Sequence, residues 1–192
     1  MSTLSPKAED ILSCAKSLIL AGGYDGFSYA DISKVVGIRN ASIHHYFPGK
    51  ADLVRALVAR HREDAEAGIA ELERNVADPV EKLRAYVGYW ETCIADTSVP
   101  FCVCALLASQ LPALPPAVAD EVRGYFRSLA AWLASVLSRC AAQNRIRLLG
   151  SADVEAEAFM ASIHGAMLSA RAYGDTRMFG VITRQLLDRL TV

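Results

Sequence analysis

The chain has 192 residues, 53% of them hydrophobic and 21% charged, with 20 Lys+Arg against 21 Asp+Glu and a net charge of −1. That apolar content suffices for a core of one or two small domains and excludes an intrinsically disordered chain. Five cysteines at irregular positions, Cys14, Cys93, Cys102, Cys104 and Cys140, form no even-numbered framework and exclude a disulfide-stapled fold.

Cutting the chain after Arg62 exposes an asymmetry. The first part carries eight Lys+Arg against five Asp+Glu and the remainder twelve against sixteen, and three of the four histidines lie in the first part. A mildly basic head on an acidic body suits an anionic partner at one end. The longest apolar run, Val99 to Ala108, is shorter than the roughly 20 residues a membrane span needs, and Pro112 follows. The N-terminal residues lack the basic start and apolar stretch of a secretory signal. A cytoplasmic protein without a membrane partner is expected.

Apolar residues recur at three- and four-residue steps, which predicts an all-α fold. Ser5-Pro6 opens a helix with the apolar face Ile11, Leu12, Ala15, Leu18 and Ile19, and Gly22-Gly23 stop it. Ser28 caps a short second helix with apolar positions Ile32, Val35 and Val36, and Gly37 ends it in the left-handed conformation. A third runs from about Arg39 to Phe47, broken by Pro48-Gly49. The fourth, from Lys50 to Asn75, carries Arg60, Arg62, Glu63, Asp64 and Glu66 as a solvated face with local ion pairs. Asp78-Pro79 opens a fifth, whose buried stripe is Val80, Leu83, Val87, Trp90 and Ile94.

Pro100, Pro112, Pro115 and Pro116 then leave room for only a short helix, around Cys104 to Gln110. A long helix from about Ala117 to Gln143 turns Val118, Val122, Phe126, Leu129, Leu133, Val136 and Cys140 inward. Ser151-Ala-Asp153 starts the next, with the stripe Ala156, Phe159, Met160, Ile163 and Met167. Gly174-Asp175 breaks it, and a last helix carries Phe179, Ile182, Leu186 and Leu190.

Residues 28–47 combine a capped short helix, a glycine turn and a second short helix rich in hydrogen-bonding and aromatic side chains, the layout of a helix-turn-helix. Ile32, Val36, Ile38 and Ile43 would lock the two helices together. The outward side of the second is then free for DNA. Arg39, Asn40, Ser42, His44 and His45 supply donors and acceptors for base edges, and Tyr46 and Lys50 can hold phosphates.

These residues resemble the TetR family of bacterial transcriptional regulators. The matching text is Phe27-Ser28, Asp31-Ile32, Val36-Gly37-Ile38, Ala41-Ser42-Ile43 and above all His45-Tyr46-Phe47-Pro48-Gly49-Lys50-Ala51-Asp52-Leu53, similar to that family's tyrosine-phenylalanine-x-x-lysine signature. The resemblance covers roughly the first 60 residues. It implies a DNA-binding domain over residues 1–49 and a helical effector-binding and dimerisation domain over 50–192. It further implies a homodimer on a palindromic operator, released when a small molecule binds the body. By the same resemblance Ser28 caps the second helix and touches a phosphate, Arg39, Asn40, Ala41, Ser42 and His45 face the groove, Tyr46 contacts the backbone and Lys50 binds phosphate. Ser33 and His44 depart from the pattern, which has alanine and tyrosine there; His44 is open between helix packing and DNA contact.

In the body, Ala161, Gly165, Ala166 and Ser169 are small residues at helical spacing, suited either to packing within one chain or to pairing of the two C-terminal helices with a second copy. An effector pocket would be mostly apolar, with Tyr86, Trp90, Cys93, Phe101, Cys102, Phe126, Met160, His164 and Met167 as candidate lining, beside Tyr89 and Phe159. His164 is the best polar candidate, because a buried imidazole needs a hydrogen-bond partner. No lysine or arginine is among these positions, which favours a neutral or weakly polar ligand.

Cys102-Val-Cys104, with Cys93 before it, admits a thiol-based redox or electrophile sensor; the alternative is that these cysteines pack as small hydrophobes. No ligand spacing points to a metal and no motif to a cofactor or catalysis, so an enzyme is not expected. The expectation is a ligand-responsive repressor, with double-stranded DNA, a small-molecule effector and a second copy as partners. A helical carrier without a DNA role is the reading from a different class.

Overall fold

The computed structural model describes residues 5–96 and 101–190. The first residues, and the start of the apolar run at Val99 with Pro100, lie outside them. Among the described residues the regular structure is helical: α1 Pro6–Gly22, α2 Tyr29–Val36, α3 Asn40–Tyr46, α4 Lys50–Asn75, α5 Pro79–Ala95, α6 Val103–Ala108, a 3-10 turn Leu111–Ala113, α7 Pro116–Ala142, α8 Ala152–Tyr173 and α9 Arg177–Leu190. None of these helices is long and apolar enough to cross a membrane.

The local signals act as expected. Ser5 Oγ accepts from the Ala8 N–H at 3.3 Å, with Pro6 in the first turn. Asp78 Oδ1 caps α5 by accepting from Val80 N at 2.8 Å. Gly37 and Gly174 end α2 and α8 at φ +71° and +62°, the left-handed conformation that glycine adopts without a Cβ clash.

The chain divides into two compact units. One comprises the chain up to Asp64 together with Val103–Tyr125; the other comprises Ala65–Cys102 and the chain from Phe126 onward. In the first, α1 packs on α2 and α6, and α2 on α3. Its core includes Ile11, Leu12, Ile19, Ile32, Ile43, Leu53, Val54 and Val58. Val35 does not join that core. It is 69% exposed, because the buried face of the eight-residue α2 centres on Ile32 and leaves Val35 at the rim. The charged stretch of α4 also reaches further than local pairing: Arg60 meets Glu9 at 3.4 Å as well as Asp64 at 3.1 Å, and Arg62 donates to Glu121 of α7 at 3.2 Å.

In the second unit the α5 stripe is buried throughout, as is that of α8. Phe126 is only half-buried. Helix α9 packs on both α8 and α5. There Gly180 sits so close to the Glu91 carboxylate that a Cβ would lie 2.3 Å from Oε1. The buried side of α9 is Phe179, Gly180 and Thr183, and Ile182, Leu186 and Leu190 are half-buried.

A charge cluster braces this unit. Arg139 Nη1 and Nη2 donate to Glu73 at 2.9 and 2.6 Å, Trp132 Nε1 donates at 2.9 Å, and Lys82, only 3% exposed, pairs with the same carboxylate. Breaking one partner of such a cluster leaves a buried charge unmatched, which is far more harmful than losing a surface pair. The Arg139 hydrogen bonds, followed by those from Lys82 and Trp132, hold the Glu73 carboxyl down at about 2 against the penalty of burial.

A carboxyl that is more acidic folded than unfolded contributes stability above its unfolded pKa, and that contribution is lost as pH falls toward the folded value. The urea midpoint of the wild type should therefore drop between about pH 4.5 and pH 2. Glu73→Gln should lower stability at neutral pH by about 2 kcal/mol and flatten that acid dependence. An unchanged midpoint in the variant at pH 7 would remove Glu73 from this role.

Candidate nucleic-acid interface and the helical body

Helix α3 has only seven residues and a single buried side chain, Ile43, so its position depends on its surroundings. Ile43 is fully buried in the same core as Ile32. The Tyr29 hydroxyl on α2 donates to the Phe47 carbonyl at 2.8 Å, tying the end of α3 to α2. Burial, with smaller contributions from Asp52 and Tyr24, pushes the Tyr29 phenol up to about 12, so it stays a donor at neutral pH.

Ahead of α2, the Asp31 carboxylate accepts from both the Ser28 N–H at 2.8 Å and the Ser28 hydroxyl at 2.7 Å. These bonds hold the Asp31 carboxyl below its ordinary value. In the turn, Ser33 Oγ donates to the Ile38 carbonyl at 2.5 Å, so the serine that departs from the family pattern fastens the connection between the two helices.

With Ile43 turned inward, Arg39, Asn40, Ala41, Ser42, His44, His45 and Tyr46 are all exposed, and so is Ser28. The Tyr46 ring meets that of His45 edge-on at 5.6 Å. His44 makes two contacts within the head: its Nδ1 lies 3.0 Å from the Pro48 carbonyl, and its ring is 4.6 Å from that of Tyr29.

Lys50 is half-buried at the start of α4. Its ammonium donates to the Phe27 carbonyl at 2.7 Å and lies over the rings of Phe27 and Tyr24, at 4.4 and 4.9 Å. Desolvation pushes its pKa down.

Sequence reasoning missed Gln110. This residue follows α6, and its Oε1 accepts from the Tyr24 N–H at 2.9 Å. It lies against Gly23, whose φ of +75° no other residue adopts easily and whose absent Cβ would fall 2.4 Å from Gln110 Nε2. Nothing local in the sequence could reveal a pairing over 86 positions.

All the pocket candidates belong to the second unit. Trp90, Phe101, Cys102, Met160 and Met167 are buried, as is Phe159, while Tyr86, Cys93, Phe126 and His164 are half-buried. The Phe126 and His164 rings stand 5.2 Å apart, Tyr86 meets Trp132 edge-on at 5.5 Å, and Arg171 lies 5.4 Å from the Phe101 ring centre. Tyr89 is 58% exposed and faces away from this core.

On the outer side of α8, Val154, Ala158, Ala161, Gly165, Leu168 and Ala172 are all exposed, at steps of four and three. Ala166 is instead buried within its own chain and Ser169 is half-buried, so the outward stripe is longer than the four small residues alone and slightly rotated from them. A Cβ on Gly165 would meet nothing within 4 Å.

Residues 11–57 match the family model described as bacterial regulatory proteins, tetR family, and residues 79–186 match that of the tetracyclin repressor-like C-terminal domain. A transcriptional regulator of the TetR family from Agrobacterium tumefaciens is 64% identical over 97% of this chain and 98% of its own, with a TM-score of 0.94. A TetR transcriptional regulator from Legionella pneumophila is 27% identical over 98% of both chains, with a TM-score of 0.85. The reduced form of E. coli NemR, 18% identical over 97% of both chains at a TM-score of 0.82, shares the fold. No curated protein matches the chain.

The anchoring of α3 can be tested by Tyr29→Phe, which removes the bond to the Phe47 carbonyl and keeps the ring. We expect a loss of about 1 kcal/mol in chemical denaturation. Faster amide exchange should be confined to α3 and the residues that follow it. Uniform exchange rates across α1 to α4 would show that the bond does not hold the helix.

Proposed function

The chain belongs to the TetR family of bacterial regulatory proteins, a transcriptional regulator with a DNA-binding helix-turn-helix domain, and from that premise we propose that it is a homodimeric repressor released from a palindromic operator by a small molecule. The observation that carries this reading is the face of α3, where Asn40, Ala41, Ser42 and His45, with Arg39 at the N-cap, stand exposed on a helix whose one buried residue is Ile43. Arg39, Asn40 and Ser42 have the donors and acceptors to read base edges in the major groove, and His45 adds a ring nitrogen. Tyr46 and Ser28 flank them at phosphate positions. Lys50, held by the Phe27 carbonyl and over the Phe27 and Tyr24 rings, is the proposed phosphate contact at the start of α4. His44 is assigned to positioning, through Pro48 and Tyr29.

Dimerisation is proposed through α8 and α9. An uncharged stripe with period near 3.5 on an exposed helix is the surface that a second helix covers. Glycine in a helix interior costs about 1 kcal/mol relative to alanine. Gly165 has open space around it, so its own chain does not require the missing side chain; close approach of a partner helix does. Two recognition helices held in such a dimer would meet half-sites about 34–36 Å apart or somewhat more.

The effector is proposed to bind in the second unit, among Tyr86, Trp90, Cys93, Phe101, Cys102, Phe126, Met160, His164 and Met167. Cys102 is the last residue of that unit before α6, and α6 carries Gln110 to the end of α1 in the first unit. A ligand that prefers one placement of Phe101 and Cys102 would thereby bias the head through the covalent chain; equal affinity for both placements would shift nothing. The thiol-sensing alternative has less support, since Cys102 and Cys104 are closed to solvent.

Two measurements test the assignment. In gel shifts with the DNA upstream of the gene, Asn40→Ala should weaken specific binding by about 1–3 kcal/mol and relax sequence preference, and Tyr46→Phe should weaken all sequences alike. Equal affinity of the wild type for the upstream DNA and a shuffled version would defeat the operator reading. In sedimentation, Gly165→Arg should convert a dimer to a monomer that no longer binds the operator tightly; a variant that remains dimeric would move the interface elsewhere.

A further inference from the structure

His44 stands on the outward side of α3 and uses only part of its hydrogen-bonding capacity. Asn40 lies one helical turn before it and is exposed like it, so the two share the side turned away from the buried Ile43. Within the head, His44 Nδ1 lies 3.0 Å from the Pro48 carbonyl oxygen and its ring packs at 4.6 Å, tilted, on Tyr29. Positioning takes one nitrogen and the ring. Nε2 is left over on an exposed side chain, with no hydrogen bond to any described residue.

The Pro48 contact fixes the chemistry of that second nitrogen. A carbonyl oxygen is an acceptor only, so Nδ1 must carry a proton to approach it at 3.0 Å. A neutral imidazole has a single N–H. With that N–H spent on Pro48, neutral His44 presents a lone pair at Nε2, which repels a phosphate oxygen, whereas the imidazolium presents an N–H and a positive charge. His44 lies at the C-terminal end of α3, between Asn40 and the proposed phosphate contacts Tyr46 and Lys50, so the acceptor offered there is backbone phosphate. The tyrosine of the family pattern would donate from its hydroxyl at any pH near neutrality. The histidine makes the same contact depend on a proton.

Resting on the reading of α3 as the helix that meets DNA, we propose that His44 Nε2 is a phosphate contact made only by the imidazolium form, so that DNA binding takes up a proton at each head and tightens as pH falls through the neutral range.

The titratable groups around this corner are Tyr29 on α2, Tyr24 and Asp25 ahead of it, Lys50 and Asp52 at the start of α4, and His45 and Tyr46 on α3 itself. Carboxylates and phenols keep one charge state between pH 6 and pH 8, and burial pushes Tyr29 up to about 12. His45 and Lys50 remain, and substitution at position 44 separates their titration from that of His44.

The measurement is the affinity of the full chain for the DNA upstream of the gene and for its shuffled version, from pH 6 to pH 8 at constant salt. Net proton uptake is read by calorimetry in two buffers of different ionisation heat. Wild-type affinity should fall about tenfold or more from pH 6 to pH 8, with proton uptake on binding at pH 7. The dependence of log affinity on log salt should be steeper at pH 6 by about 0.9 per head. His44→Tyr supplies a hydroxyl, and His44→Asn keeps an N–H for Pro48 with nothing in the place of Nε2. Both should flatten the pH profile, the first binding tightly at pH 8 and the second weakly throughout, while His45→Gln should keep the wild-type profile. A histidine that only positions α3 would change affinity by the same factor at every pH when replaced. That result, a flat wild-type profile, or loss of the slope in His45→Gln would overturn the proposal. Equal binding of upstream and shuffled DNA with the slope intact defeats the operator reading and leaves the contact standing. Sequence-specific binding with an unaltered slope in His44→Tyr removes the contact and leaves the operator reading standing, and absence of DNA binding at every pH removes both.

Discussion

A seven-residue helix is not stable by itself in water, because the unfavourable first turn is never offset by enough further hydrogen bonds. Helix α3 exists because Ile43 is buried in the core that also takes Ile32, while Tyr29 and His44 fasten the residues at its end. That single anchored residue decides everything displayed on the other side. A helix that buries only Ile43 can leave Arg39, Asn40, Ser42 and His45 in solvent at fixed angles, so recognition chemistry is obtained without polar groups competing for space in the core. The supports of the head, the Ser28–Asp31 cap, the Ser33 bond across the turn and Lys50 over Phe27, all lie within a few residues of the helix they position.

Most of the helices were legible in the sequence because their ends are set by short-range chemistry. Gly22-Gly23, Gly37, Pro48-Gly49 and Gly174 stop helices for reasons of backbone conformation that need no knowledge of the rest of the fold. Faces were less legible. The spacing that brings Val36 partway into the core also admits Val35, and only the placement of α1 and α3 decides that Val35 is outside. The same holds for Ala166, which belongs to the run of small residues but turns inward, and for α9, whose packing on α8 and α5 buries Phe179, Gly180 and Thr183.

For the site itself, the residue types on α3 could be read directly, whereas the engagement of Lys50 could not, since its acceptor is a backbone carbonyl 23 positions earlier. Tyr86 and His164, whose Oη and Nε2 are buried without a hydrogen-bond partner among the described residues, illustrate the same limit in the body. Periodicity places them near apolar stripes, but whether their polar atoms find partners is a property of packing in three dimensions. The Glu73 cluster shows the opposite outcome, with a buried lysine, an arginine and an indole all converging on one carboxylate.

The fit of Gln110 against Gly23 makes two distant positions into one joint. Gly23 has neither the backbone angle nor the room for a methyl group, and the amide that fills the room also supplies the acceptor for the next N–H. Evolution can therefore not vary these two sites independently. A lineage that placed a larger residue at 23 would have to shorten 110 and find another acceptor for Tyr24, so in an alignment of near relatives the two columns should change together or stay as they are.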